Sequence, residues 1–185
     1  MNEIAQIVGQ LTEMQIQNST INDIDSIFDL YDKAIIYQKT KFNKHWQGFD
    51  RLLVETEIKE NRQWKIIVND NIACIFAITY ADELIWGEKN NDPAIYIHRI
   101  VTNPEFRGNN YVKIIIDWAK DFVKKQNKQF IRMDTWGDNE PLINHYTNCG
   151  FSFLGLITLQ KSEGLPKHYE GACLSLFEIK VADEL

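Results

Sequence analysis

With 185 residues, 44% of them hydrophobic and 12% aromatic, the chain has the size of one domain and enough apolar surface for a substantial core. A formal charge of −6 excludes the basic excess or basic stripe usual in a nucleic-acid-binding protein. The longest apolar run, Ile72 to Ala81, is too short to span a membrane, and Cys74, Cys149 and Cys173 lack metal-ligand or disulfide spacing, so a reduced cytoplasmic protein is expected.

The first residues carry no basic stretch and Gly9-Gln10 interrupts their apolar run, so a secretory leader is not expected. Ile4, Ile7, Val8 and Leu11 share one helical face, and residues 1–12 read as an N-terminal extension ahead of a single domain over 13–185. That face could pack on the body or on a second copy in a homodimer, and a frayed end fits equally. Glu13 to Gln17 alternates as a short strand, and Thr20 then caps a helix with Asp23 at its third position. Ile24, Ile27, Phe28, Tyr31, Ala34 and Ile35 form the apolar stripe of that helix. After a loop with Phe42, His45, Trp46 and Gly48, a second helix from about Phe49 to Glu60 is expected to bury Phe49, Leu52, Leu53 and Thr56. Trp64 to Val68 and Ile72 to Tyr80 flank Asn69-Asp70-Asn71 and make a β-hairpin, since these turn residues tolerate positive φ. Ala81 to Pro93 reads as a loop, polar except for Leu84, Ile85 and Trp86.

The chain is organised around Ala94 to Lys125: a strand from Ala94 to Thr102, a turn over Asn103 to Asn110, and an amphipathic helix with the stripe Val112, Ile115, Ile116, Ala119, Phe122 and Val123. The chain returns as the strand Phe130 to Trp136. Strand, helix and strand make a βαβ unit, so these two strands should be parallel and linked right-handedly. Asp138 or Asn139 caps a short helix with Pro141 in its first turn and Cys149-Gly150 at its end; Leu142, Ile143 and Tyr146 share one of its faces. Phe151 to Lys161 and Ala172 to Val181 are the last strands, joined by the loop 162–171. The sum is a mixed sheet of about seven strands with about four helices on its faces, an α+β or α/β layered fold.

A strand that stops at a proline and a Gly/Asn turn, then opens a helix, presents free N–H groups to an anion such as a pyrophosphate. Arg107, Lys113, Lys120, Lys124, Lys125 and Lys128 outnumber Asp117 and Asp121 here, which favours a phosphorylated ligand. Pairing of Lys113 with Asp117 and of Asp121 with Lys125 explains most of these charges as a solvated face, and leaves Arg107 where a phosphate would sit.

Two motifs then carry a resemblance. Tyr96-Ile97-His98-Arg99-Ile100-Val101-Thr102-Asn103-Pro104-Glu105-Phe106-Arg107-Gly108 and, one helix and one strand later, Asn139-Glu140-Pro141-Leu142-Ile143-Asn144-His145-Tyr146 through Cys149-Gly150-Phe151 together resemble the GNAT superfamily of acyl-CoA-dependent N-acetyltransferases. The resemblance in element order covers about residues 13 to 181 and implies a mostly antiparallel seven-stranded sheet with a central parallel pair. It also implies acetyl-CoA as cosubstrate, a turn over Arg107, Gly108, Asn109, Asn110, Tyr111 and Val112 that wraps the pyrophosphate, and backbone groups at Ile100, Val101 and Thr102 that hold the pantetheine arm. Two positions depart from the family pattern. Asn110 replaces a glycine, and asparagine is the residue that best tolerates left-handed geometry in its place. Val112 replaces Gly or Ala and puts a branched side chain where backbone should approach phosphate, which would weaken or displace the cofactor.

The resemblance makes Tyr146 the acid for the departing thiolate, where the residue alone would read as a core tyrosine. His98 and Asp134 lie where family members carry a base. Alternatives stand beside both: a buried hydrogen-bonded histidine, and a strand-end carboxylate paired with Arg132. Plain strand alternation would put Tyr96, His98 and Ile100 on one face and Ile97, Arg99 and Val101 on the other. Asn139 caps its helix on the local reading, and the resemblance implies that it contacts the CoA arm; it can do both. Cys149, at a helix C-terminus that disfavours thiolate, reads as structural. By family analogy His45, Trp46, Trp86 and Lys167-His168-Tyr169 wall the acceptor site, each otherwise a packing residue. The expected reaction is direct acetyl transfer to a primary amine of a small molecule or peptide. A binding protein with a degenerate turn, holding an acyl-CoA or another phosphorylated ligand, is the alternative; an interaction module with a vestigial cleft is a third.

Overall fold

The structure, a computed structural model, describes residues 13–159, 169 and 171–181. The expected helix near the N-terminus and the end of the strand at Lys161 lie outside these residues. Strand β1 is Met14–Asn18. Asp23 accepts from the Thr20 N–H at 2.7 Å, half of a capping box, but the first turn is a 3-10 turn, Ile21–Asp23, before helix α1, Ile24–Lys41. Helix α1 buries Ile24, Ile27, Leu30 and Tyr31.

Helix α2, Arg51–Lys59, starts where the Asp50 carboxylate accepts from the Leu52 N–H at 2.7 Å. Its inner face is not the one expected. Val54, Glu57 and Ile58 are buried, whereas Leu52 is 69% and Leu53 37% exposed. Glu57 turns inward because Arg99 and Arg62 reach it, and a buried charge hides the true stripe from a reading of hydrophobicity alone.

Strands β2, Gln63–Val68, and β3, Asn71–Thr79, form the hairpin, and Asn69 and Asp70 both take positive φ, 47° and 64°, as a type I′ turn requires. The stretch that follows is not a bare loop. It folds as α3, Glu83–Trp86, and a 3-10 turn, Gly87–Asn91, because Ile85 and Trp86 cover Tyr96, Leu174 and Leu176 at one end of the sheet.

Then come β4 (Ala94–Thr102), α4 (Tyr111–Lys125), β5 (Phe130–Trp136), α5 (Glu140–Asn148), β6 (Ser152–Thr158) and β7 (Cys173–Lys180). The seven-stranded sheet runs β1-β2-β3-β4-β5-β7-β6, with β4 and β5 parallel and every other neighbouring pair antiparallel. Helix α4 lays Ile115, Ile116, Ala119 and Val123 on one sheet face, where Ile143 and Tyr146 of α5 also pack. Helices α1 and α2 cover the opposite face over Ile75 and Val101. Arg132 is fully buried and pairs with Asp92 and Glu178, its guanidinium 5.0 Å from the Trp86 ring centre, so it does not partner Asp134.

Candidate active site

Two irregularities in β4 make the site. The parallel ladder with β5 holds only at Ala94, Ile95 and Tyr96, opposite Phe130, Ile131 and Arg132. Beyond it the strands splay, and β4 from Ile97 to Thr102 has no ladder partner on that side among the described residues. On its other side, Ala77 pairs with His98 and Ile75 with Val101, so Arg99 and Ile100 together oppose Phe76 in a β-bulge, with Arg99 at φ 52°. The bulge overturns plain alternation. Ile97 and Ile100 both face α4, while Arg99 and Val101 face α1 and α2. His98 and Arg99, consecutive in sequence, both line the cleft.

That cleft, about 1100 Å³, runs from α1 across the splay to α5. At its floor His98 lies between two carboxylates: Nε2 is 3.4 Å from Asp82 and Nδ1 3.9 Å from Asp134. Their side chains are only 8% and 3% exposed, and the facing oxygens, Asp82 Oδ2 and Asp134 Oδ1, have no hydrogen-bond partner among the described residues. Burial alone would lower the His98 pKa, but Asp82 and Asp134 outweigh it and hold the ring above its ordinary value. Burial pushes the Asp134 carboxyl up to about 6, against the attraction of His98. Tyr169 donates to Asp134 from 3.3 Å. Ligand-type atoms of all three residues lie within 4.8 Å of one another, a set a divalent cation would also accept. The two ring nitrogens point at different carboxylates, however, and one ion can use only one of them, so a shared proton fits better.

Tyr146 and Asn139 line the same cleft from α5. The Tyr146 ring packs 5.3 Å from Phe177, and burial raises the phenol, with the Asp134 charge adding to the effect. The Asn139 Oδ1 accepts from the Leu142 N–H at 3.2 Å, leaving the amide NH₂ for the cleft. A second hollow of about 460 Å³ adjoins at Thr102 and is lined by Arg107, Gly108, Asn109, Asn110, Tyr111 and Val112. Asn110 caps α4 at φ 50°, ψ 48°, in left-handed geometry. The Arg107 guanidinium stands 4.4 Å from the Tyr37 ring centre, and Val112 packs partly against the core. Cys149 is buried, and burial raises its thiol pKa.

The Acetyltransferase (GNAT) family model matches residues 37–151, more than half of the chain. The chain belongs to the GNAT family of acetyltransferases. It is 22% identical over 164 residues to the uncharacterized N-acetyltransferase YesJ of Bacillus subtilis, covering 78% of this chain and 91% of that one. A GNAT-family acetyltransferase structure from Listeria monocytogenes superposes with a TM-score of 0.73 at 23% identity, over 90% of this chain and 94% of the other. The yncA structure from Salmonella typhimurium, which holds its cofactor acetyl-CoA, gives a TM-score of 0.65 at 10% identity over 92% and 95% of the two chains.

This GNAT chain is therefore an acetyltransferase. Its fold brings His98, Asp134 and Tyr146 to one cleft with Ile100, Val101, Thr102 and Asn139, and sets the Arg107–Val112 turn in the adjoining hollow. Of the expected acceptor walls, Trp46 and Tyr169 line the cleft. His45 instead contacts its neighbour's carbonyl, 2.8 Å from the Trp46 oxygen, and Trp86 is buried under the end of the sheet. Lys167 and His168 lie outside the described residues. Asp82, Glu57 and Arg99 are cleft residues that sequence reading missed. No local signal marks the bulge that turns Arg99 inward.

Proposed function

We propose that this enzyme moves the acetyl group of acetyl-CoA directly onto a primary amine of a small molecule or peptide, in a ternary complex and without a covalent enzyme intermediate. The observation that carries the reading is the notch itself: β4 backbone freed of ladder bonds by the splay, with the His98 cluster at its edge. Bound acetyl-CoA supplies an acyl group activated as a thioester. Backbone groups of Ile100, Val101 and Thr102 would hold the pantetheine arm and act as fixed donors to the acyl carbonyl. The turn over Arg107, Gly108, Asn109, Asn110, Tyr111 and Val112 would hold the pyrophosphate at the positive end of α4, with the Asn139 amide reaching the arm. The left-handed Asn110 supports this fit, because it gives the turn the geometry that glycine would otherwise supply.

Tyr146 is the proton donor to the thiolate, since a phenol with its pKa raised by burial still carries its proton at neutral pH. An acceptor ammonium of ordinary pKa must lose a proton, which costs about 4–5 kcal/mol at pH 7. The Asp82–His98–Asp134 cluster takes that proton: its carboxylates attract the ammonium and the neutral imidazole accepts from it. A cysteine route is disfavoured, as burial pushes Cys74 to about 12 and raises Cys149 as well. The test is thiol release from acetyl-CoA across primary amines, secondary amines, alcohols and short peptides. Primary amines should drive release; release driven by alcohols alone, or by none of the panel, would sink the proposal.

A further inference from the structure

The bulge in β4 shapes this cleft. It turns two consecutive side chains, His98 and Arg99, into one cleft, from Cα atoms about 3.8 Å apart. One belongs to a cluster with two buried carboxylates; the other is a cation. Arg99 takes a left-handed backbone that a non-glycine residue adopts only at a cost, so the surrounding structure enforces this placement. Its side chain is 10% exposed, and the buried Nε has no hydrogen-bond partner among the described residues. Glu57 pairs with the guanidinium at Nη2, but Arg62 also reaches Glu57 at 3.7 Å. Arg62's other partner, Glu60, is 53% exposed and screened by water, so Glu57 is the buried carboxylate that the two cations share. Phe49, whose ring centre is 5.0 Å from the Arg99 guanidinium, continues with Trp46 and Leu53 as an apolar wall of the same cleft.

Building on the amine reading above, we infer that the acceptor is a compact amino acid: its amine meets the His98 cluster, its carboxylate pairs with Arg99, and an apolar side chain lies on the Phe49–Trp46 wall. An acceptor carboxylate would give the Arg99 guanidinium a second anion beside the Glu57 carboxylate that it shares with Arg62. The full chain is assayed with acetyl-CoA and three matched acceptors: phenylalanine, phenylalaninamide and phenethylamine. The last controls for the lower amine pKa of the amide. The amino acid should exceed both in kcat/KM by about 10-fold or more, the range of a hydrogen bond to a charged group. Arg99→Gln should bring that ratio toward one, chiefly through KM, and Arg99→Lys should keep part of it. Equal or better use of phenethylamine overturns the inference and leaves amine acetylation standing. Failure of every amine overturns the amine reading and this inference with it. If Arg99→Gln does not fold, the wild-type ratio alone decides.

Discussion

Replacing Asp134 with asparagine should make the protein more stable and less active, and the gain in stability should depend on pH. The Asp134 carboxyl is 3% exposed and burial pushes its pKa from 3.8 up to about 6. A folded-state pKa above the unfolded value means that the folded chain holds the proton more tightly. Stability linked to this group is therefore full below pH 3.8 and is lost as pH rises toward 6. The shift corresponds to about 3 kcal/mol at 1.36 kcal/mol per unit, all of it charged against the folded state at pH 8. Asparagine removes that cost and still accepts from the Tyr169 hydroxyl. His98 adds an opposing effect: its raised pKa stabilises the fold below about 6.5, and that help is lost above its folded value, so losing Asp134 matters least to it at pH 8.5. Urea or thermal denaturation of both proteins at pH 8.5 and pH 4.5 is the assay. Asp134→Asn should gain about 3 kcal/mol at the higher pH, several degrees in Tm, and only about 1 kcal/mol at the lower. A loss at pH 8.5, or a gain that does not change with pH, would refute the view of Asp134 as a buried carboxylate ionised at a cost.

Further outcomes separate chemistry, cofactor binding and framework. Tyr146→Phe should lower kcat by about 100-fold or more, with acetyl-CoA affinity by calorimetry changed less than about twofold; unchanged turnover removes Tyr146 from the mechanism. Val112→Ala opens the hollow at the turn and should lower the KM for acetyl-CoA several-fold, at a stability cost of about 1 kcal/mol because the valine also packs on the core. A raised KM would show that the branched side chain helps the turn. Arg132→Ala leaves Glu178, itself 15% exposed, without its buried guanidinium and should cost about 3–5 kcal/mol by urea denaturation; a loss under about 1 kcal/mol would mean that water replaces the guanidinium.

Much of the fold was legible because local chemistry agrees with it. Asn69-Asp70 gives the hairpin, the proline and asparagine of the 103–110 turn end β4, and the stripe from Ile115 to Val123 sets the face of α4. Where charge meets burial, pattern reading fails. Glu57 occupies an inner position of α2, so the apolar Leu52 and Leu53 drew the stripe to the wrong face. Arg132 is itself fully buried, and its contacts with Asp92 and Trp86 come from the segment 83–92, which pattern reading left as loop. The lining of the candidate site was legible where it is a motif, from Arg107 to Val112 and from Asn139 to Tyr146. Asp82, His98 and Arg99 meet through the splay and the bulge, and both depend on how β3, β4 and β5 pair rather than on any local run of residues.

The most direct test of the proton-accepting cluster is the pH dependence of kcat/KM for acetyl transfer to a primary amine, measured for the wild type, His98→Ala and Asp134→Asn. The cluster must be deprotonated to act, so wild-type activity should climb as pH rises through the raised His98 value, above 6.5. His98→Ala should abolish that limb and lower the plateau. Asp134→Asn removes one of the two carboxylates that hold the imidazolium, so its limb should move to lower pH. Profiles that superimpose on the wild type in both variants would contradict the account.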